Sequence, residues 1–377
     1  MRPPYFDCNS TTPVEPEVAD LVSTFLTEEY GNSASRTHSY GARAKRAVEC
    51  SRRSVAAIVG AQLEEVVFTS GATESNNLAI LGLRDFGVAR GRKHIVSTAI
   101  EHRAVLEPLE FLAREGYDVT LLKPGAGGKV EAEQLARVLR PDTLLVTVMH
   151  VNNETGVIQP IGDIAQVLES HEAFFHVDAA QSFGKLRGDL ENKRIDLISV
   201  SGHKIYGPKG VGALVVRRRD YEALPLKPIL HGGGQERGLR PGTLPVALIV
   251  GLGKAAEMAW ADQEKRDARC LEIRRGVLDA FETLGAIQNG ISDSTIVSTL
   301  NVSIPGLDSE AVMVALKDEI SISNGSACTS QSYTESHVLK AMGLDEDQIR
   351  GALRLSWCHL TEAPDWKRIV QIIQSLR

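Results

Sequence analysis

The chain has 377 residues. This length exceeds what a single hydrophobic core usually supports, so two domains are expected. Its composition, 43% hydrophobic and 24% charged, is typical of a globular protein and excludes the disordered and fibrous classes. The net charge of −6, with basic clusters balanced by acids, argues against direct nucleic-acid binding, which needs a basic face. We interpret the densest basic cluster, Arg217–Arg219, as a solvated strand end.

The N-terminal sequence MRPPYFDCNSTTPV lacks the apolar segment of a signal peptide, and no window of the chain approaches a membrane span. We therefore expect a cytoplasmic protein without a membrane partner. The five cysteines are widely spaced and include no C-x-x-C pair, so neither a disulfide framework nor a metal site is expected.

Apolar runs of strand length alternate with stretches of helical periodicity along the first half of the chain. EVVFTS precedes ESNNLAILGLRDFG, KHIVSTA precedes AVLEPLEFLAREG, TLLVTVMHV precedes PIGDIAQVLESH, and AFFHVDAA and RIDLISVSG follow. This alternation is typical of βαβ units, so the sequence predicts an α/β protein with a mostly parallel sheet.

The pattern weakens after residue 255. GKAAEMAWADQEKRDARCLEIRRGVLDAFETLG predicts one long connecting helix, and STLNVSI, EAVMVALKD and ISISNGSAC then mix strands and helices. We predict a large α/β domain over residues 13–255, and a smaller α+β domain formed by residues 1–12 and 256–377.

Three stretches carry residues suited to one chemistry. In FTSGATESNNLAI a strand runs through Gly71 straight into a helix, an arrangement that favours phosphate binding, although plain N-capping explains it equally well. Asp178 follows the apolar run FFHV, where a buried carboxylate needs a cationic partner, either a side chain or the protonated ring nitrogen of a ligand.

The third stretch, SVSGHKIYGPKGVGAL, sets Lys204 beside His203 in a glycine-rich turn. A desolvated lysine next to another cation has its ammonium form disfavoured, so its amine can attack a carbonyl and form a Schiff base. A phosphate-binding turn, a strand-end acid and such a lysine, in that order, match the requirements of pyridoxal 5'-phosphate (PLP).

The chain resembles the cysteine desulfurases of the NifS/IscS type, which belong to the class-V aminotransferase family. The resemblance runs from YFDCNSTTPV to LRLSW and is carried by the motifs SGATESNNLAI, TAIEHRAV, MHVNNETGVIQPI, HVDAAQSFGKL, SGHKIYGPKGVGAL, HGGGQERGLRPGTLPV and NGSACTS. It implies the fold of the fold-type-I PLP-dependent transferases.

By this resemblance Lys204 binds PLP through a Schiff base, Asp178 keeps the pyridine nitrogen protonated, and Gln181 contacts the phenolic oxygen. The residues implied to hold the phosphate are Ala72, Thr73, Ser201, His203 and, from a second subunit, Thr243. The last contact implies a homodimer.

The resemblance also implies substrate contacts. His102 would stack on the cofactor ring and transfer protons, whereas a lone histidine at a strand end is more often structural. Asn153 would contact cofactor and substrate. Arg354 would bind the carboxylate of L-cysteine as a bidentate fork, although an interdomain salt bridge would also explain an arginine there.

Cys328 is implied to be the sulfur acceptor, in a small, polar loop over about residues 322–335. Lys204 would move the Cα proton, and the Cys328 thiolate would attack the substrate sulfur, giving L-alanine and an enzyme persulfide for an acceptor protein. A selenocysteine lyase, another PLP-dependent lyase and a sulfur-delivery scaffold are alternatives. Iron–sulfur clusters, tRNA thiolation, thiocofactors and DNA phosphorothioation all remain possible destinations of the sulfur.

The chain departs from the family pattern at two places. Asn324 replaces a serine at the start of the cysteine loop, and Cys358 stands where glycine is expected. We expect Cys358 to lie near the substrate site without accepting sulfur, because its apolar flank predicts a poorly ionised thiol.

Overall fold

The computed structural model describes residues 2–219, 221–324 and 335–377. Its main sheet consists of β1 (Val66–Thr69), β2 (His94–Thr98), β3 (Asp118–Leu122), β4 (Thr143–Met149), β5 (Phe174–Asp178), β6 (Leu197–Ser201) and β7 (Gly212–Val216). These lie in the order β1-β7-β6-β5-β4-β2-β3. β7 runs antiparallel to both neighbours, and the other neighbouring pairs are parallel. The predicted α/β class with a mostly parallel sheet is confirmed.

Helices cover both faces of this sheet. Those assigned to the large domain are α1 (Pro16–Thr27), α2 (Ser39–Ile58), α3 (Ala72–Leu81), α4 (Arg84–Arg90), α5 (Arg103–Arg114), α6 (Ala132–Val138), α7 (Ile161–Val167) and the start of α8 (Val246–Glu282). Because strand side chains alternate in direction, Phe174 of β5 packs in one hydrophobic cluster and Phe175 packs in the cluster on the opposite face.

The carboxyl ends of the central strands form one edge. Met149 of β4 lies opposite Asp178 of β5, and Asp178 lies opposite Ser199 of β6. β6 continues to Ser201 and passes directly into a short 3-10 turn, Gly202–Lys204. Ligands bind outside this edge of parallel sheets, so these positions are suited to a site.

A second unit contains a three-stranded antiparallel sheet, with β9 (Thr299–Ser303) between β8 (Ile287–Gln288) and β10 (Ala352–Ser356). Its helices are α9 (Ser309–Leu316), α10 (His337–Ala341), α11 (Glu346–Arg350) and α12 (Trp366–Gln374).

The long helix predicted to connect the two units is α8, which starts somewhat before the predicted segment. Its first turns pack in the core of the main sheet, and its last turns pack in a separate core that also contains Phe6. The backbone of the N-terminal segment pairs with this second unit, where Phe6 N–H donates to Ser321 O at 2.8 Å. Two separate cores support the proposed division into residues 13–255 and residues 1–12 with 256–377.

One predicted helical stretch is divided in two, and one local prediction was wrong. ESNNLAILGLRDFG forms two helices, α3 and α4, which are separated at Gly82 and Leu83. Arg217 is not solvated: it is buried, and its guanidinium donates to four backbone carbonyls, those of Val59, Leu190, Asn192 and Ile195.

The helices of the described ranges include none with the length and apolar character that a membrane crossing requires.

Candidate active site

A cavity of about 370 Å³ opens at the carboxyl edge of the main sheet. Ten of the predicted site residues line it together: Ala72, Thr73, His102, Asn153, Asp178, Gln181, Ser201, His203, Lys204 and Arg354. They come from strand ends, helix starts and the second unit, so folding brings distant segments to one place.

Lys204 lies in the turn that ends β6. Its ammonium donates to the backbone carbonyl of Asn9 and, at 2.8 Å, to that of Ser10. Gly202 makes this turn possible, because a Cβ there would lie 3.0 Å from the carbonyl oxygens of Pro208 and Val211. Burial, followed by the adjacent Lys204 charge, lowers the pKa of His203 to about 4, so its imidazole is neutral at pH 7.

Asp178 ends β5 with a buried carboxylate. Oδ2 accepts a hydrogen bond from Asn76 Nδ2 at 2.7 Å, and Oδ1 accepts from the backbone N–H of Ala180 at 2.9 Å. No lysine or arginine of the described ranges forms an ion pair with it. A cationic group of a ligand in the cavity would satisfy this carboxylate.

The turn between β1 and α3 faces the same cavity. Gly71 has φ of +152°, a conformation that residues with a Cβ rarely adopt. Ala72 and Thr73 begin α3, and the first N–H groups of a helix have no intrahelical acceptor. With Ser201 and His203 nearby, this turn is suited to a phosphate.

His102 caps α5, and its Nδ1 accepts a hydrogen bond from the backbone N–H of Ala104 at 3.0 Å. That bond requires Nδ1 to be unprotonated. Burial lowers the pKa of His102, so the ring is neutral at pH 7, carries its proton on Nε2 and can donate that proton.

Arg354 reaches the cavity from β10 and is 1% exposed. Its Nη2 donates to Asp7 Oδ1 at 2.7 Å and Ser10 Oγ at 2.8 Å, and its Nη1 donates to Asn153 O at 3.0 Å. Arg354 also forms a salt bridge, with Asp7, which was the other explanation offered for an arginine at this position. Its Nε is buried and has no protein partner among the described residues.

The amide of Gln181 is oriented by two neighbours. Nε2 donates to Asn9 O at 2.9 Å, and Oε1 accepts from Lys185 Nζ at 3.4 Å. Because a carbonyl only accepts and an ammonium only donates, this pair fixes which end of the amide is which.

Residues 4–368 match the family model described as aminotransferase class-V. The chain belongs to the class-V aminotransferase family. A cysteine desulfurase IscS of Shewanella amazonensis is 46% identical over 99% of this chain and 92% of its own length. DndA from Streptomyces lividans is 49% identical, with a TM-score of 0.83 over 94% of this chain and 98% of that one. A structure of SspA in complex with cysteine is 40% identical, with the same TM-score and coverage.

Class-V aminotransferases depend on PLP, and this chain is a PLP-dependent enzyme. The residues that line the cavity fit PLP by their chemistry. Lys204 supplies an amine, Asp178 an unpaired negative charge, and the α3 turn an anion site. Two buried polar atoms among the lining residues, Asn76 Oδ1 and Arg354 Nε, have no partner in the described chain.

One predicted residue of this class-V aminotransferase lies elsewhere. Thr243 does not line the cavity of its own chain; it lines a separate cleft of about 230 Å³ with Asn32, Lys45 and Arg52. Cys328 lies outside the described residues.

Sequence reasoning missed several lining residues of the class-V aminotransferase site. Asn9 and Ser10 supply the carbonyls that hold Lys204, and Asn76 donates to Asp178. A signal existed for Asn76, because it lies one helical turn from Ala72 and therefore shares its face. No comparable pattern marks Asn9.

Cys358 does not line the cavity and is 1% exposed. The prediction of a poorly ionised thiol was wrong. A hydrogen bond from the Cys8 thiol, helped by the Thr361 hydroxyl against the opposing effect of burial, lowers the pKa of Cys358 to about 7.

Proposed function

We propose that this enzyme is a cysteine desulfurase, which removes sulfur from L-cysteine and leaves L-alanine. The observation that carries the proposal is one cavity in which an amine, a buried carboxylate, a neutral imidazole and an arginine meet, in a chain whose relatives carry this name. These relatives do not favour the alternative of a selenocysteine lyase.

The cavity residues divide the binding of the cofactor among them. Lys204 would supply the amine that bonds to PLP, Asp178 would hold the ring nitrogen protonated, and Gln181 would contact the phenolic oxygen. Ala72 and Thr73, with Ser201 and His203, would hold the phosphate. When bound, PLP supplies an electron sink for the pair released at the substrate Cα.

Arg354 and Asn153, which line the cavity together, bind the substrate carboxylate. This contact fixes the amino acid so that its Cα lies near the Lys204 amine, which removes and later returns the Cα proton. His102 is neutral with its proton on Nε2, so it gives this proton at the substrate sulfur and later takes one back.

Cys328 accepts the sulfur. Its thiolate attacks the sulfur of L-cysteine, so that the substrate C–S bond breaks as a new S–S bond forms. The enzyme keeps a persulfide, and the released carbon skeleton is protonated and leaves as L-alanine. The persulfide then passes its outer sulfur to an acceptor protein.

We also propose that the enzyme is a cytoplasmic homodimer. Thr243 is separated from the Lys204 cavity of its own chain, which supports a role for it in the partner's site. The pathway that receives the sulfur depends on the surface that docks the acceptor.

The test is incubation of the purified holoenzyme with L-cysteine, followed by measurement of the visible spectrum, alanine and sulfide. The wild type should show a cofactor band and produce alanine. Cys328→Ala should keep the band and lose alanine production, whereas Lys204→Ala should lose the covalently bound cofactor. A band without alanine from the wild type would indicate another PLP reaction.

A further inference from the structure

Two cysteines that the proposed reaction does not use meet behind the active-site cavity. Cys8 and Cys358 are 2% and 1% exposed and pack in one small cluster with Tyr206. Their side chains hydrogen-bond to each other. Both are free thiols.

The backbone holds the two thiols in place. Asp7 pairs with Ser356 as a parallel bridge, and Cys8 N–H donates to Ser356 O at 3.0 Å. On the other side, Cys358 N–H donates to Thr361 Oγ1 at 3.0 Å. The contact therefore joins the N-terminal segment to the end of β10.

The contact shifts the pKa values of the two thiols in opposite directions. A hydrogen bond to Cys358, together with burial, raises the pKa of Cys8 well above its usual value. The pKa of Cys358 is lowered to about 7, first by the same bond. The positive charge of Lys185 lowers the pKa of both thiols.

Two other described cysteines lack this arrangement. Burial raises the pKa of Cys270 to about 12, so that it stays a thiol at neutral pH. Cys50 is exposed on α2. Since the thiolate is the reactive form, Cys358 is the nucleophile of this group and Cys8 is its immediate neighbour.

We propose that Cys8 and Cys358 are a redox-active thiol pair that a peroxide oxidises to an intramolecular disulfide. The Cys358 thiolate attacks one oxygen of hydrogen peroxide, the O–O bond breaks, and the leaving hydroxide takes a proton from solvent to become water. The sulfur of Cys8 then displaces the hydroxyl group from Cys358, which leaves with the Cys8 proton as a second water. Both sulfurs are oxidised, and the peroxide is reduced to two molecules of water.

The disulfide would form directly behind the cofactor. Cys8 precedes Asn9, whose carbonyl accepts hydrogen bonds from Lys204 and Gln181. Because Asn9 lines the cavity, the pair lies one residue behind a wall that small solutes reach. Oxidation would tie this segment to the strand that carries Arg354.

The test uses holoenzyme with Cys50→Ser and Cys328→Ala, which leaves Cys8, Cys270 and Cys358. After peroxide treatment the protein is unfolded and alkylated, and its mass and peptides are measured. We expect Cys270 alone to be alkylated and a Cys8–Cys358 peptide to appear. Dithiothreitol should make all three thiols alkylatable again.

The control adds Cys358→Gly, or Cys358→Ser if the glycine variant does not fold. In it, peroxide should produce no cross-linked peptide. Alkylation of all three cysteines after peroxide treatment of the parent would overturn the proposal, and so would a cross-link that contains Cys270.

Discussion

Glu101, beside His102, is a buried carboxyl group whose pKa is raised, whereas the pKa of most carboxyl groups in folded proteins is lowered or unchanged. Oε1 accepts from Thr98 Oγ1 at 2.7 Å and Met149 N–H at 2.9 Å, and Oε2 has no partner in the described chain. Burial raises the pKa of Glu101 from 4.5 to about 8. The native state therefore keeps this proton at neutral pH.

Because of this shift, we expect Glu101→Gln to raise the free energy of unfolding by an amount that depends on pH. Above pH 4.5 the unfolded chain loses the proton that the native state keeps to about pH 8, so the free energy of unfolding falls across that window. Glutamine does not titrate, so its advantage over glutamate in the free energy of unfolding should grow by about 4 kcal/mol across the window. Urea unfolding at the two ends of the window checks it, and an equal difference at both ends would contradict it.

The second prediction for a single residue concerns Arg354 and the binding of L-cysteine. Arg354→Lys replaces a planar fork, held by Asp7, Ser10 and Asn153, with a single ammonium. We expect the KM for L-cysteine to rise by about 10- to 100-fold, which corresponds to one charged hydrogen bond. The cofactor spectrum should not change. Arg368→Lys, at an exposed arginine, is the matched control; an unchanged KM in Arg354→Lys would exclude this residue from substrate binding.

At the scale of elements, the turn from β1 into α3 depends on Gly71. Gly71→Ala would force a Cβ onto a backbone with φ of +152°, at a cost of about 1–3 kcal/mol. The turn should relax, and PLP should be retained about 10-fold less tightly. Retention is measured by dialysis and the cofactor absorbance.

Gly91→Ala is the matched control for this turn. Gly91 also has a positive φ, of +65°, but it ends α4 away from the cavity and has open space around it. It should lower stability and leave cofactor retention unchanged. Equal losses of retention in both variants would show that Gly71 acts only through general stability.

The elements differ in how well the sequence predicts them. β5 and β6 are buried on both faces and appear as continuous apolar runs. β3 lies at the sheet edge with Asp118 and Leu121 exposed, so no such run marks it. Arg217 resembled a surface charge because its partners are four backbone carbonyls of two distant segments, which carry no residue signal.

The same distinction applies to the site. Lys204 and Asp178 stand in motifs next to predicted strands, so their meeting follows from the parallel sheet. Asn9 contributes through its carbonyl oxygen, which any residue type would supply. Asp7 can reach Arg354 because the N-terminal segment pairs with β10. Contacts of this kind depend on tertiary pairing and not on local pattern.

At the scale of the whole molecule, the position of Thr243 provides a test of the proposed homodimer. In its own chain it lines a cleft with Lys45 and Arg52, apart from the cavity that contains Lys204. A hydrogen bond from Thr243 to the phosphate would therefore come from the other subunit of a dimer. A heterodimer with one defect in each subunit distinguishes the two possibilities.

We expect a heterodimer of Lys204→Ala and Thr243→Val subunits, isolated with two different tags, to have half the activity of the wild-type dimer at limiting PLP. One of its sites carries both defects, and the other combines the intact Lys204 with the intact Thr243 of the opposite subunit. If Thr243 acted within its own chain, the only site with a lysine would also carry the valine. The heterodimer would then show half the activity of the Thr243→Val homodimer, a value lowered further by the lost phosphate bond.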